Sequence, residues 1–308
     1  MELFPSSFIV MMSASWAREP RWGGTYQQME EVADIAKPYQ KINPDLSILY
    51  GLIYADQADV LERQEQYTKA KTYYEKALSY GSYSATCYDL ARLYYYDLDK
   101  PEQALKMINQ AIESWPFRDR NYPLSARIQF ELGNYDKSLS DIRTAEQIAI
   151  SNENISDARE WICSKLVYSG YEKCQKNNAD ALEDLDMAIQ FWNQNEEAYY
   201  WRGYCYFNIQ QNWQMAVYDF KNAIELKPDY FAAYRGLDYA LMHEKAWDTI
   251  IANWNRYLAI KPNDAEAYFE RSGTYYHKGD MENSTNDLKR ACSLGHKQAC
   301  AKLRQMTQ

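Results

Sequence analysis

The sequence predicts an all-α protein, a right-handed α-solenoid of about seven helix-turn-helix repeats closed by capping helices. A small–large–small set of side chains returns at a near-constant interval, and a second segment with helical character precedes each set. Composition agrees. Of the 308 residues 46% are apolar and 25% charged, while Gly and Pro supply only 11 and 9 positions, too few for a disordered or linker-rich chain.

The sets start at Ala70, Ala104, Ser138, Ala181, Ala216, Ile250 and Ser284, at intervals of 34, 34, 43, 35, 34 and 34 residues. Four residues after each start stands a large apolar side chain: Tyr74, Ile108, Ile142, Leu185, Phe220, Trp254 and Leu288. Seven residues after stand Ala77, Ala111, Ala145, Ala188, Ala223, Tyr257 and Ala291. Spacings of four and three fall on one helix face, so each set is the buried stripe of a second helix. Upstream, first helices read Tyr54-x2-Gln57-Ala58-x2-Leu61, Cys87-x2-Leu90-Ala91-x2-Tyr94 and Tyr122-x2-Ser125-Ala126-x2-Gln129. Later copies read Tyr199-x2-Arg202-Gly203-x2-Tyr206, Tyr234-x2-Leu237-Asp238-x2-Leu241 and Tyr268-x2-Arg271-Ser272-x2-Tyr275. Pro116, Pro228 and Pro262 stand where a pair must end, and Gly133-Asn134 and Gly279-Asp280 supply turns between paired helices. A small residue on the first helix admits the second, whose large residue fills the space beside it. One pair cannot cover its apolar face alone, so neighbours must stack. Two departures are expected: Asp238, Ile250 and Tyr257 set the sixth pair further apart or rotated, and the 43-residue interval leaves room for an insertion around residues 171–178.

The copy Tyr199-x2-Arg202-Gly203-x2-Tyr206, followed by Ala216-x3-Phe220, Ala223 and Pro228, resembles the tetratricopeptide repeat, which reads W-x2-L-G-x2-Y, A-x3-F, P. The resemblance covers about residues 51–296. Residues 51–308 are therefore expected to form the repeat array, with a C-terminal capping helix after Gly295. The Ala-Cys doublets at 291–292 and 299–300 also resemble short-repeat cousins of this family. Residues 1–50 lie outside the pattern. Thr25-x2-Gln28 is a capping box for a helix ending near Pro38, and Trp22 is expected to anchor the segment by burial. The stretch 15–29 resembles the end of an uncharacterised bacterial domain that precedes such arrays, which implies a chain starting inside or just after that domain. The alternative is an N-terminal capping helix pair.

Several function classes are disfavoured. No uninterrupted apolar run exceeds the five residues of 8–12, far from the roughly 20 of a membrane helix. Net charge is −9 and no basic cluster occurs, against nucleic-acid binding. Glu2 with no early Lys or Arg does not support a secretory leader, and six cysteines without a CxxC pair read as reduced, so a cytoplasmic location is expected. No P-loop, GxSxG elbow, dinucleotide fingerprint or HExxH arrangement is present, so no catalytic centre, metal or cofactor is expected.

A binding surface remains, and the 29 Tyr define its character. In tetratricopeptide proteins first helices line a concave groove, and projecting that frame selects Tyr88, Arg92, Tyr95, Tyr96, Arg127 and Phe130. Further along it selects Tyr200, Tyr204, Phe207, Arg235, Tyr239 and His243, then Phe269, Tyr276 and His277. Tyr and Arg are both enriched at interface anchors, so a protein or peptide partner is expected. Some family members hold a carboxylate with Lys and Asn on these helices. Those places are Arg92, Arg127, Tyr204 and Tyr239 here, so that clamp is absent, although Arg92 and Arg127 suit a carboxylate. The resemblance thus implies a non-catalytic binding scaffold. An immunity-type protein that neutralises a toxin and the interaction half of a longer multidomain enzyme are the alternatives.

Overall fold

A computed structural model describes residues 4–149 and 153–306. Residues 1–3, which include Glu2, lie outside the described residues, as do 150–152 and the last two. All regular structure among the described residues is helical. The chain forms two compact units, one running to Ala158 and the other starting at Arg159.

The first unit opens with α1 (Phe8–Trp16) and α2 (Tyr26–Ala36), which pack on each other and on α3 (Ile48–Arg63). The capping box forms: Gln28 N–H donates to Thr25 Oγ1 at 3.2 Å and Thr25 N–H to Gln28 Oε1 at 3.0 Å. Met11, Met29, Val32, Leu46 and Leu49 make the core of this segment. Trp22 does not anchor it. It is 72% exposed on the short 3₁₀ turn Pro20–Trp22, and the turn is tied down instead by Arg21, whose guanidinium meets Asp56 at 2.7 Å. The turn's geometry leaves the indole outside while its arginine reaches α3.

Three pairs follow: α3 with α4 (Tyr67–Leu78), α5 (Ser84–Tyr96) with α6 (Pro101–Ser114), and α7 (Asn121–Glu131) with α8 (Tyr135–Ile148). The second unit holds the greater part of α9 (Glu153–Gln175), paired with α10 (Ala181–Phe191), and three further pairs. These are α11 (Glu196–Cys205) with α12 (Trp213–Leu226), α13 (Phe231–Met242) with α14 (Trp247–Ile260), and α15 (Ala265–Lys278) with α16 (Met281–Ser293). Helix α17 (Lys297–Met306) packs on α16 and closes the array. Seven pairs therefore stand among the described residues. The long 43-residue interval is not an inserted loop: α9 absorbs it as a 23-residue helix, so residues 171–175 are its last turn.

The small–large–small stripe is buried throughout. Ala70, Tyr74 and Ala77 are at most 3% exposed, as are Ala216, Phe220 and Ala223. Phe220 lies so close to Gly236 that a Cβ there would stand 2.6 Å from its ring. The sixth copy solves its missing small residues differently. Ile250, Trp254 and Tyr257 are all buried, and Asp238 accepts a hydrogen bond from Trp254 Nε1 at 2.7 Å, so an indole and a carboxylate fill what alanines leave elsewhere. The three proline stops share one device: the phenols of Tyr122, Tyr234 and Tyr268 donate to the carbonyls of Pro116, Pro228 and Pro262 at 2.7, 3.3 and 3.2 Å. Each bond ties the entry of a first helix to the turn before it.

The cysteines depart from expectation. Cys174 is joined to Cys205 and Cys292 to Cys300 as disulfides, while Cys87 and Cys163 are free and buried. The partners are 31 and 8 residues apart, and helix packing brings them together, so no short motif betrays them.

Candidate functional site: an aromatic cleft with an open arginine

Helix α11 begins at Asn195, whose side chain accepts from Ala198 N–H at 2.8 Å. It does not end as an ordinary α-helix. Residues Tyr206–Gln210 form a π turn, stopped by Gln211 in the left-handed region at φ 53°. The wider turn redirects the side chains that follow it, a device frequent at functional sites. Here Phe207 and Asn208 turn into a cleft of about 250 Å³, with the Asn208 amide donating to the Tyr204 carbonyl at 3.1 Å.

The cleft brings together five of the predicted residues, Tyr200, Tyr204, Phe207, Arg235 and Tyr239, over a floor of Phe220, Ala232 and Gly236. Tyr200 is wedged among Trp201, Phe220 and Tyr230 with ring centroids 4.9, 5.9 and 5.1 Å away, and burial raises its phenol pKa. Tyr239 is 45% exposed at the mouth. Arg235 is exposed and has no ion-pair partner among the described residues; its guanidinium lies 5.8 Å from the Phe231 ring. Glu270 on α15 is the nearby acid. Burial raises its pKa and Arg235 opposes the rise. His243 stands beside the cleft, stacked on Trp213 at 3.9 Å and 6.1 Å from Phe207.

The predicted residues of the first unit are arranged otherwise. Tyr88 and Arg127 share a smaller pocket of about 180 Å³ with Tyr96, Arg120 and Asp157. There the Arg120 guanidinium covers the Tyr88 ring at 4.3 Å and Arg127 donates to the Tyr96 hydroxyl at 3.2 Å. Arg92 does not line it, being ion-paired with Glu62 on α3. Tyr95 packs edge-on against Tyr96 at 4.7 Å, with its pKa raised by burial and by Glu131. Phe130 packs against Tyr135 at 5.3 Å. Asp89, beside these residues, is pushed up to about 6 by burial. Phe269 lies 4.3 Å from His296, Tyr276 is exposed, and His277 stacks on Trp247 at 5.7 Å.

Sequence reasoning missed Trp213, Asn208 and Gly236. The first was legible. Trp213 and His243 recur as Trp247 and His277, each 34 residues on, and both pairs stack. The π turn left no such trace. Among the described residues, no cluster of His, Cys, Asp and Glu is arranged to hold a metal ion, and no helix is long and apolar enough to cross a membrane.

Sequence comparison with curated proteins finds no match. Tetratricopeptide repeat models match residues 52–80, 197–230 and 265–294. Similar solved structures include the Cut9–Hcn1 hetero-tetramer of the APC/C, 17% identical with a TM-score of 0.40 and covering 99% of this chain and 57% of that one. The type IV pilus biogenesis factor PilW is also 17% identical, TM-score 0.40, over 73% and 98% of the two chains. A tetratricopeptide repeat protein from Parabacteroides merdae is 16% identical, TM-score 0.36, over 83% and 98%. Repeat matches fall in the first, fifth and last pairs, and the same buried stripe runs through the pairs between them. The chain therefore carries tetratricopeptide repeats.

Proposed function

We propose that this chain is a non-catalytic scaffold that binds a peptide segment of another protein, and that the cleft of the second unit is where it grips. One observation carries the reading: an arginine without an ion-pair partner among the described residues stands at the edge of a cleft walled by Tyr200, Tyr204, Phe207 and Tyr239. Aromatic walls bury an apolar side chain at low entropy cost, and the guanidinium fork suits a carboxylate carried next to it. The preferred guest is therefore an extended segment with a large apolar residue adjacent to an acidic group or a free C-terminus. Glu270 sets the cost, because an incoming carboxylate must compete with it for Arg235.

Selection from a displayed random-peptide library tests this. Peptides recovered by the wild-type chain should carry the apolar–acidic pair, and Arg235→Ala and Tyr204→Ala should each weaken them about tenfold or more, as anchor truncations do. Recovered peptides that bind both variants as well as wild type, or that lack acidic residues, would overturn the assignment.

A further inference from the structure

The first unit carries a second cavity, away from the first-helix residues that the repeat frame projects into the groove. It lies between α2 and α3, reaches Tyr80 just beyond α4, and has a volume of about 630 Å³. One wall is a stack of phenols. Tyr50 and Tyr54 flank Tyr80 with centroids 5.8 and 5.7 Å away and interplanar angles of 29° and 11°. The exposed face of α2 also lines the cavity, where Glu30 and Asp34 stand one helical turn apart. Neither carboxylate has an ion-pair partner among the described residues. Among the described residues, the Asp34 carboxylate accepts a hydrogen bond from the Tyr50 hydroxyl at 2.5 Å. The cation lining the cavity is Lys37 at the end of α2.

We propose that this cavity is a binding site for an organic cation, an alkylammonium or guanidinium group seated on the Tyr50–Tyr80–Tyr54 stack and facing Glu30 and Asp34. Ring faces carry the negative part of the aromatic quadrupole, so stacked phenols attract a cation over their faces. The protein places a cation of its own over one of these rings: Lys76 holds its ammonium 4.1 Å over the Tyr54 ring. Burial and the neighbouring carboxylates raise the pKa of Tyr50 and hold that of Tyr26 at about 12, so the phenols stay neutral and the negative charge of the cavity resides on Glu30 and Asp34. An anion would meet two carboxylates. A neutral apolar group would leave them uncompensated. A cation suits both the phenols and the two acids at once.

Ligand-observed saturation-transfer NMR on the full chain tests the proposal. The probes are N-acetyl-arginine methylamide, tetramethylammonium and the neutral N-acetyl-norleucine methylamide. At least one cation should bind with millimolar or better affinity while the neutral probe does not. Glu30→Gln with Asp34→Asn, both at exposed positions, should weaken that cation about tenfold, and raised salt should do the same. Tyr80→Leu should abolish binding while circular dichroism shows an unchanged helix content. Preference for the arginine derivative would identify the side chain of a basic protein segment as the source, and preference for tetramethylammonium a free quaternary amine. Equal binding of the neutral probe, no saturation of either cation, or indifference to the charge-removing variants would overturn the site.

Discussion

Asp238 sits on α13 between the cleft residues Arg235 and Tyr239, yet its own carboxyl points into the core and is 5% exposed. Its Oδ2 accepts from Trp254 Nε1 at 2.7 Å, with Thr274 Oγ1 at 3.5 Å, whereas Oδ1 has no hydrogen-bond partner among the described residues. Burial is the leading cause of its shift and pushes the carboxyl up to about 6 from the ordinary aspartate value of 3.8; the Trp254 bond opposes it. A folded-state pKa above the unfolded one means that the folded chain takes up a proton that the unfolded chain releases. The associated stability is complete below about pH 4 and is lost as pH rises through about 6. Between about pH 7.5 and about pH 5 the two-state linkage expression for this pair of pKa values gives about 1.4 kcal/mol of added stability on the acid side. Asp238→Asn keeps an oxygen for Trp254 and removes the titration. Chemical denaturation of both proteins at the two pH values, followed by circular dichroism, should show the wild type gaining on the variant by about 1 to 1.5 kcal/mol at the lower pH. The comparison cancels Asp89, Asp141 and Asp219, which burial also raises and which both proteins share. If the variant and the wild type keep the same difference at both pH values, Asp238 is ionised in the folded state at neutral pH without penalty, and the account of the sixth pair fails.

Other substitutions probe other parts of the structure. Gly236→Ala would place a methyl 2.6 Å from the Phe220 ring, so the melting temperature should fall with a loss of about 1–3 kcal/mol and the cleft floor should shift. Arg202 is bidentate to the fully buried Asp219 at 2.7–2.8 Å and reaches Asp186 at 2.7 Å; Arg202→Ala strands that carboxylate and should cost about 3–5 kcal/mol, measured by denaturation. In the N-terminal segment, Met29→Ala should cost about 2–5 kcal/mol, whereas Trp22→Ala should stay within about 0.5 kcal/mol, since the first side chain is wholly buried and the second is 72% exposed.

The parts of this molecule that were legible in advance are those where one physical demand repeats. Helix pairing asks for a small residue facing a large one at every copy, so seven independent positions report the same constraint, and the buried stripe from Ala70 to Ala291 follows. The cleft residues Tyr200, Tyr204, Arg235 and Tyr239 inherit that legibility because they stand one and five residues after Tyr199 and Tyr234, which open the first-helix frame of their copies. What escaped is what occurs once. Trp22 is expected to anchor its segment by burial, but its turn points it outward and the adjacent Arg21 does the anchoring. The disulfide partners meet through packing, and the π turn at Tyr206–Gln210 has no compositional signature, although it aims Phe207. Arg92 shows the same limit from the other side. Its offset placed it among the groove candidates, but a single acid on the preceding pair, Glu62, takes up its guanidinium, whereas no acid comes within ion-pair distance of Arg235 among the described residues. Periodicity therefore selects which side chains share the first-helix face, and the non-repeating neighbour of each decides which arginine there is left without an ion pair among the described residues.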